Sequence, residues 1–164
     1  MKTILNKYTA TLLASACLAM SAERSFGQPA APDAAIASTV EAFHKALEAG
    51  EPDKVMSLLA PDALIIEAGH IQTRSDYQRE HLTEDIAFAR AVPVASRNLA
   101  ALRQEGNVAW VTTISRVTGE FHKKFVDSTS AETVVLTKTS EGWRIRTIHW
   151  SSHSTPSKEA TDSP

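Results

Sequence analysis

Residues 108–118 read VAWVTTISRVT. Valine, isoleucine, threonine and tryptophan dominate this run, and these side chains suit a pleated, half-buried surface. Gly106-Asn107 ahead of it marks a turn,. Similar runs flank it. Residues 94–103 read as a strand, and Gly119 marks a turn or irregularity after which 120–126 extends the pairing. Residues 129–139 form another long strand, and a turn at Glu141-Gly142 leads to WRIRTIHWS over 143–151. Successive strands joined by short turns predict antiparallel neighbours.

Upstream the period changes. Ile36, Val40, Phe43 and Leu47 recur at helical spacing, and Gly50 and Pro52 stop that helix,. Asp53 can cap a short second helix carrying Val55, Met56, Leu58 and Leu59, ending before Pro61,. ALIIE at 63–67 reads as a strand, and Gly69 breaks it into a loop holding His70 and Ile71. Ser75 reads as the cap of a third helix, from about Asp76 to Ala89. Helices followed by a curved antiparallel sheet predict an α+β fold, with the sheet packed against three N-terminal helices. Such a sheet encloses either packed apolar chains or a ligand pocket.

The ends differ from the middle. Lys2 and Lys7 precede an uncharged run, YTATLLASACLAMSA, over 8–22, closed by Glu23 and Arg24. This order predicts a cleavable signal peptide over 1–22 and an exported protein, periplasmic or extracellular. The run is too short and too rich in Thr and Ser for a membrane anchor. A lipid-modified Cys17 is the lesser alternative. Residues 23–32 read as a linker, 33–153 as one domain, and 154–164 as a polar tail,.

Cleavage removes the one cysteine, Cys17, and with it disulfide and thiolate chemistry,. Without Lys2 and Lys7, 15 basic residues face 19 acidic ones, and the basic ones are scattered. A nucleic-acid partner is therefore not expected. The sequence has no phosphate loop, serine nucleophile elbow or HExxH motif.

Histidines and carboxylates remain as reactive groups. His81 and Asp85 are four apart on a predicted helix and face one way. Alternation along the last strand groups Trp143, Ile145, Thr147, His149 and Ser151 on one face,. With that face inward, His81, Asp85 and His149 converge as nitrogen and oxygen ligands for a divalent metal ion such as zinc or copper. The alternative is proton transfer by His81, Asp85 or Glu67. A third is ordinary structure, with His81–Asp85 a surface pair. Tyr77, Trp110 and Trp150 are candidate pocket residues; His44 and His122 read as surface.

Three stretches carry a family resemblance. These are AIASTVEAFHKALEAGEPDKVMSLLAPDALIIEAG at 35–69, REHLTEDIAFARAV at 79–92 followed by GNVAWVTT, and the ending GWRIRTIHWSSH at 142–153. Together they resemble the NTF2-like superfamily, specifically exported members of its SnoaL-like/DUF4440 branch, over about 33–153. The resemblance implies an NTF2-like cone that pairs as a homodimer through the outer surface of its sheet. It also implies a cavity facing His81, Asp85 and His149. Members include isomerases, cyclases, dehydratases, small-ligand binders and noncatalytic assembly domains, so three functions stay open. They are a pocket protein for a small molecule or metal ion, a lyase- or isomerase-type enzyme, and a noncatalytic dimerisation or partner-binding domain.

Overall fold

Helix α1 (Pro32–Ala49) presents Ile36, Val40, Phe43 and Leu47 to the interior, each at most 5% exposed. Burying four such side chains contributes about 1.5–3 kcal/mol apiece. The structure is a computed structural model that describes residues 32–155. The expected signal peptide, the linker up to residue 31 and the tail beyond residue 155 lie outside that range.

Gly50, at φ 76°, lets the chain leave α1 and enter α2 (Pro52–Leu58),. Leu59 does not continue that helix. It opens β1 (Leu59–Glu67), which turns at Ala68-Gly69 into β2 (His70–Thr73). The expected loop at His70-Ile71 is thus a short strand paired with Ile66 and Glu67.

The single helix expected over 76–89 is two helices, α3 (Arg74–Glu80) and α4 (Leu82–Ala91), with the break at His81. The cap of α3 is Thr73 rather than Ser75: its hydroxyl accepts a hydrogen bond from the Asp76 amide at 3.2 Å,. None of the described helices is long and apolar enough to cross a membrane.

Four long strands follow: β3 (Val94–Glu105), β4 (Val108–Phe121), β5 (Lys124–Thr139) and β6 (Gly142–Ser154). They pair antiparallel in sequence, and β1 then adds to β6 in parallel, giving the order β2-β1-β6-β5-β4-β3. The architecture is an α+β cone of the kind the resemblance implies, a curved six-stranded sheet with the helices packed on its inner side. The expected fold class is correct, although the helical layer has four segments and β1 is parallel to β6.

One irregularity sets the inner face of the last strand. Val135 pairs with Thr147 but Leu136 pairs with Ile145, so Arg146 is an extra residue on β6,. Side-chain alternation slips by one there. Ile145 and Ile148 are both fully buried despite their odd spacing, and Arg146 turns outward to an ion pair with Asp62. Downstream of the bulge Trp150 and Ser152 face inward, while His149 is exposed on the other face. The expectation that His149 shares the inner face with Trp143 and Ile145 is corrected by this single inserted residue.

Gly119 is no turn. It lies within the β4–β5 ladder opposite Val126, and the turn comes later, at His122-Lys123. A Cβ at Gly119 would sit 2.8 Å from the Ala91 carbonyl oxygen and 2.9 Å from Val92 Cα. Glycine is required because the end of α4 rests directly on the strand. Gly119→Ala should therefore lower stability by about 1–3 kcal/mol, measured by urea unfolding. In contrast, Lys123 adopts φ 62° without being glycine. Lys123→Gly relieves that conformation and should raise stability by about 1 kcal/mol in the same assay.

Candidate functional site

The registers align the inner-face side chains into rows across the sheet. Glu67 pairs with Trp150, Trp150 with Glu132, and Glu132 with Thr113, so one row runs Glu67–Trp150–Glu132–Thr113. The next row, about 7 Å along the strands, runs Ser152–Ser130–Ser115–Arg97. Helices α1 and α4 lie over these rows and leave a cavity of about 180 Å³ between. Its apolar wall comes from Leu47, Phe88, Val92, Val117 and Trp150.

Glu132 is 5% exposed and accepts three hydrogen bonds. The Trp150 indole N–H donates at 2.6 Å, His44 Nε2 lies at 3.1 Å, and the Thr113 hydroxyl at 3.5 Å. Burial alone would push its carboxyl up. The bond to His44, the charge of His44, the indole and nearby Arg97 outweigh burial and hold it below the usual carboxylate range,.

Asp85 goes the other way. It sits on the first turns of α4 at the cavity wall, where the hydroxyl of fully buried Tyr77 donates to its Oδ2 at 2.8 Å. Burial pushes the Asp85 carboxyl up to about 6. The Tyr77 bond opposes the rise, Glu67 adds to it, and His81 opposes it. Glu67, at the end of β1, is raised too, by burial and against the influence of His81. The Tyr77 hydroxyl is held in its neutral form by burial and by the charge of Asp85.

The expected residues therefore separate. Glu67, Asp85 and Trp150 line one cavity. His81 stands at its mouth, in a groove shared with Glu67 and Asp85, and its Nδ1 meets the Gln72 side-chain amide at 2.5 Å. Tyr77 lies beneath the wall as the partner of Asp85. Trp110 is not a pocket residue: it alternates with buried Ala109 and Val111 and is directed to the outer face. His149 is likewise outside. His81, Asp85 and His149 are thus not brought together, and no group of three His, Cys, Asp or Glu side chains among the described residues is arranged to hold a metal ion.

His44, expected at the surface, faces the sheet beside Phe43 instead. Its position four residues after Val40 and three before Leu47 carried that signal. Glu132 shares the face of buried Val134 and Leu136, as the period of two in ETVVL indicates,. Arg97, which also lines the cavity, gave no such signal, because its place there depends on strand pairing.

The SnoaL-like domain profile matches residues 36–155. The chain belongs to the SnoaL-like family. Among solved structures, a provisionally named ketosteroid isomerase from Shewanella frigidimarina is 31% identical, with a TM-score of 0.66. That match covers 73% of this chain and 97% of the other. A provisionally named dehydratase of the NTF2-like family from Streptomyces avermitilis is 16% identical with a TM-score of 0.61, covering 76% and 96% of the two chains. The CaMKII hub of S. rosetta is 19% identical with a TM-score of 0.59, covering 77% and 100%. These last two share the fold. No curated protein matches the chain.

The strained ionisation of Asp85 in this SnoaL-like cone is measurable. A carboxyl raised in the folded state favours folding while protonated, and that advantage is lost as pH rises from about 4 through about 6,. Allowing for partial solvent screening, the loss is on the order of 1–2 kcal/mol. Asp85→Asn keeps an acceptor for Tyr77 and removes the charge. It should be more stable than wild type by that amount at pH 7.5, with the difference vanishing near pH 4, measured by denaturant titration at both pH values.

Proposed function

We propose that the cone binds a small organic molecule and that Asp85 exchanges a proton with it, an isomerase- or lyase-type activity. The observation that carries this reading is a carboxyl near neutrality at a cavity wall, gripped from behind by a buried tyrosine. A base of that pKa is half ionised near pH 6, basic enough to remove a proton beside a carbonyl group. Asp85 takes the α-proton and leaves an enolate. Isomerisation returns that proton to another carbon; dehydration expels hydroxide, which leaves with the proton as water. Glu67, also raised, is the second proton holder, and His81 at the mouth draws both carboxyls back toward ionisation. The names of the Shewanella and Streptomyces structures, an isomerase and a dehydratase, agree with this class.

The proposal extends to setting. Export through the 1–22 signal and membership of the DUF4440 branch rest on the N-terminal segment and the HWSS ending. Homodimerisation would use the outer sheet face, where Leu64, Val108 and Ile114 are 38%, 44% and 39% exposed around Trp110. The name of the S. rosetta structure, a hub, favours self-assembly.

Proton transfer is testable before the substrate is known. In heavy water, the protein should accelerate exchange of α-protons in a panel of small ketones and oxo acids, followed by proton NMR. The rate should rise with pH through about 6 as Asp85 ionises. Asp85→Asn should lower it by about 100-fold or more. Equal exchange by wild type and Asp85→Asn would refute the assignment.

A further inference from the structure

We propose that the ligand of this cavity is an organic carboxylate whose carboxylate group is anchored by Arg97 and Ser115. The inference rests on reading the cavity as a ligand site and adds the class of molecule that fills it.

Arg97 is the one lysine or arginine among the residues lining the cavity. It ends the row Ser152–Ser130–Ser115–Arg97, and its Nε donates to the Ser115 hydroxyl at 3.3 Å. The acidic groups close enough to feel its charge, Glu41 and Glu132, are already engaged. Glu41 pairs with Lys45 at 2.6 Å, and Glu132 holds its three donors. No carboxylate of the described residues lies within ion-pair distance of Arg97, whereas Arg79, Arg116, Arg144 and Arg146 each have at least one; Arg74, Arg90 and Arg103 also lack one but do not line the cavity.

An arginine spending its charge on a serine hydroxyl at a cavity rim has its other guanidinium N–H groups free. They match the two oxygens of a carboxylate in a planar, two-bond geometry. Hydroxyls adapt to either donor or acceptor, so the serine row can complete such a contact. The layout of charge supports this placement. Arg97 is on β3, an edge strand of the sheet, and Glu67 is on β1, with β4, β5 and β6 between them. A ligand carboxylate at Arg97 is therefore kept away from Glu67. Its apolar body then lies between Phe88, Val92 and Trp150, leaving the far end toward Asp85.

The test is a matched pair of probes, 3-phenylpropanoate and 3-phenylpropanamide, titrated into the full chain by NMR. The acid should bind at least about tenfold more tightly than its neutral amide, as one charge-assisted two-bond contact implies. Arg97→Gln should erase the difference, Arg97→Lys should keep part of it, and the Ser115 amide signal should move only with the acid. Because Arg97 is exposed, both variants should keep the wild-type melting temperature. Equal binding of acid and amide by wild type, binding of neither, or unchanged preference in Arg97→Gln would overturn the proposal. Loss of proton exchange in the preceding assay leaves this result untouched, so the anchoring role and the Asp85 chemistry fail separately.

Discussion

A buried carboxylate is tolerated only where donors surround it, and Glu132 recruits them from three elements. Its partners are His44 of α1, Thr113 of β4 and Trp150 of β6, all converging on a strand between the last two. Removing any one leaves charge uncompensated in the interior. The helix layer, the middle of the sheet and the last strand are therefore held in a common register around one ionised group. The cavity is the space left beside that arrangement. Two of its carboxyls end at opposite extremes, with Glu132 held as an anion and Asp85 pushed toward neutrality. The difference lies in donor count: one hydroxyl serves Asp85, whereas indole, imidazole and hydroxyl serve Glu132.

Much of the fold was legible in the residues. The helical spacing of Ile36, Val40, Phe43 and Leu47 and the β-rich runs after Pro93 report local physics. Each is decided by which face a side chain must bury. The positions that misled depend on something nonlocal. His81 ends one helix and starts another although its neighbours have ordinary helical propensity, because α3 packs on β1 while α4 must lie over the cavity. The short strand His70–Thr73 exists because β1 offers an edge to it. Gly119 reads as a turn in isolation, yet it is a point of contact with α4.

The site was legible to the extent that it follows alternation. Glu67 takes the face of Ala63 and Ile65 and Glu132 that of Val134 and Leu136, whereas Asp85 was marked by its helical spacing from His81 and alternation alone put Trp150 on the wrong face. One extra residue, Arg146, undid the assignment of His149. A bulge shifts every later side chain to the opposite face, and nothing in WRIRTIHWS announces it. Arg97 was invisible for a different reason. Its significance comes from lying across β4 and β5 from Ser152, a relation that only strand pairing creates.

The parallel pairing of β1 with β6 has a consequence for how the molecule comes into being. Strands β3 to β6 each meet a neighbour a short loop away, and β1 meets β2 likewise, but the pairing that joins this hairpin to the rest of the sheet, β1 with β6, spans about 80 residues of chain. Until Gly142–Ser154 exists, the β1–β2 hairpin has no link to the β3–β5 part of the sheet. Contacts so distant in sequence form late and slowly. The cone therefore closes only when its last strand is in place, and a chain still on the ribosome stays open until then,.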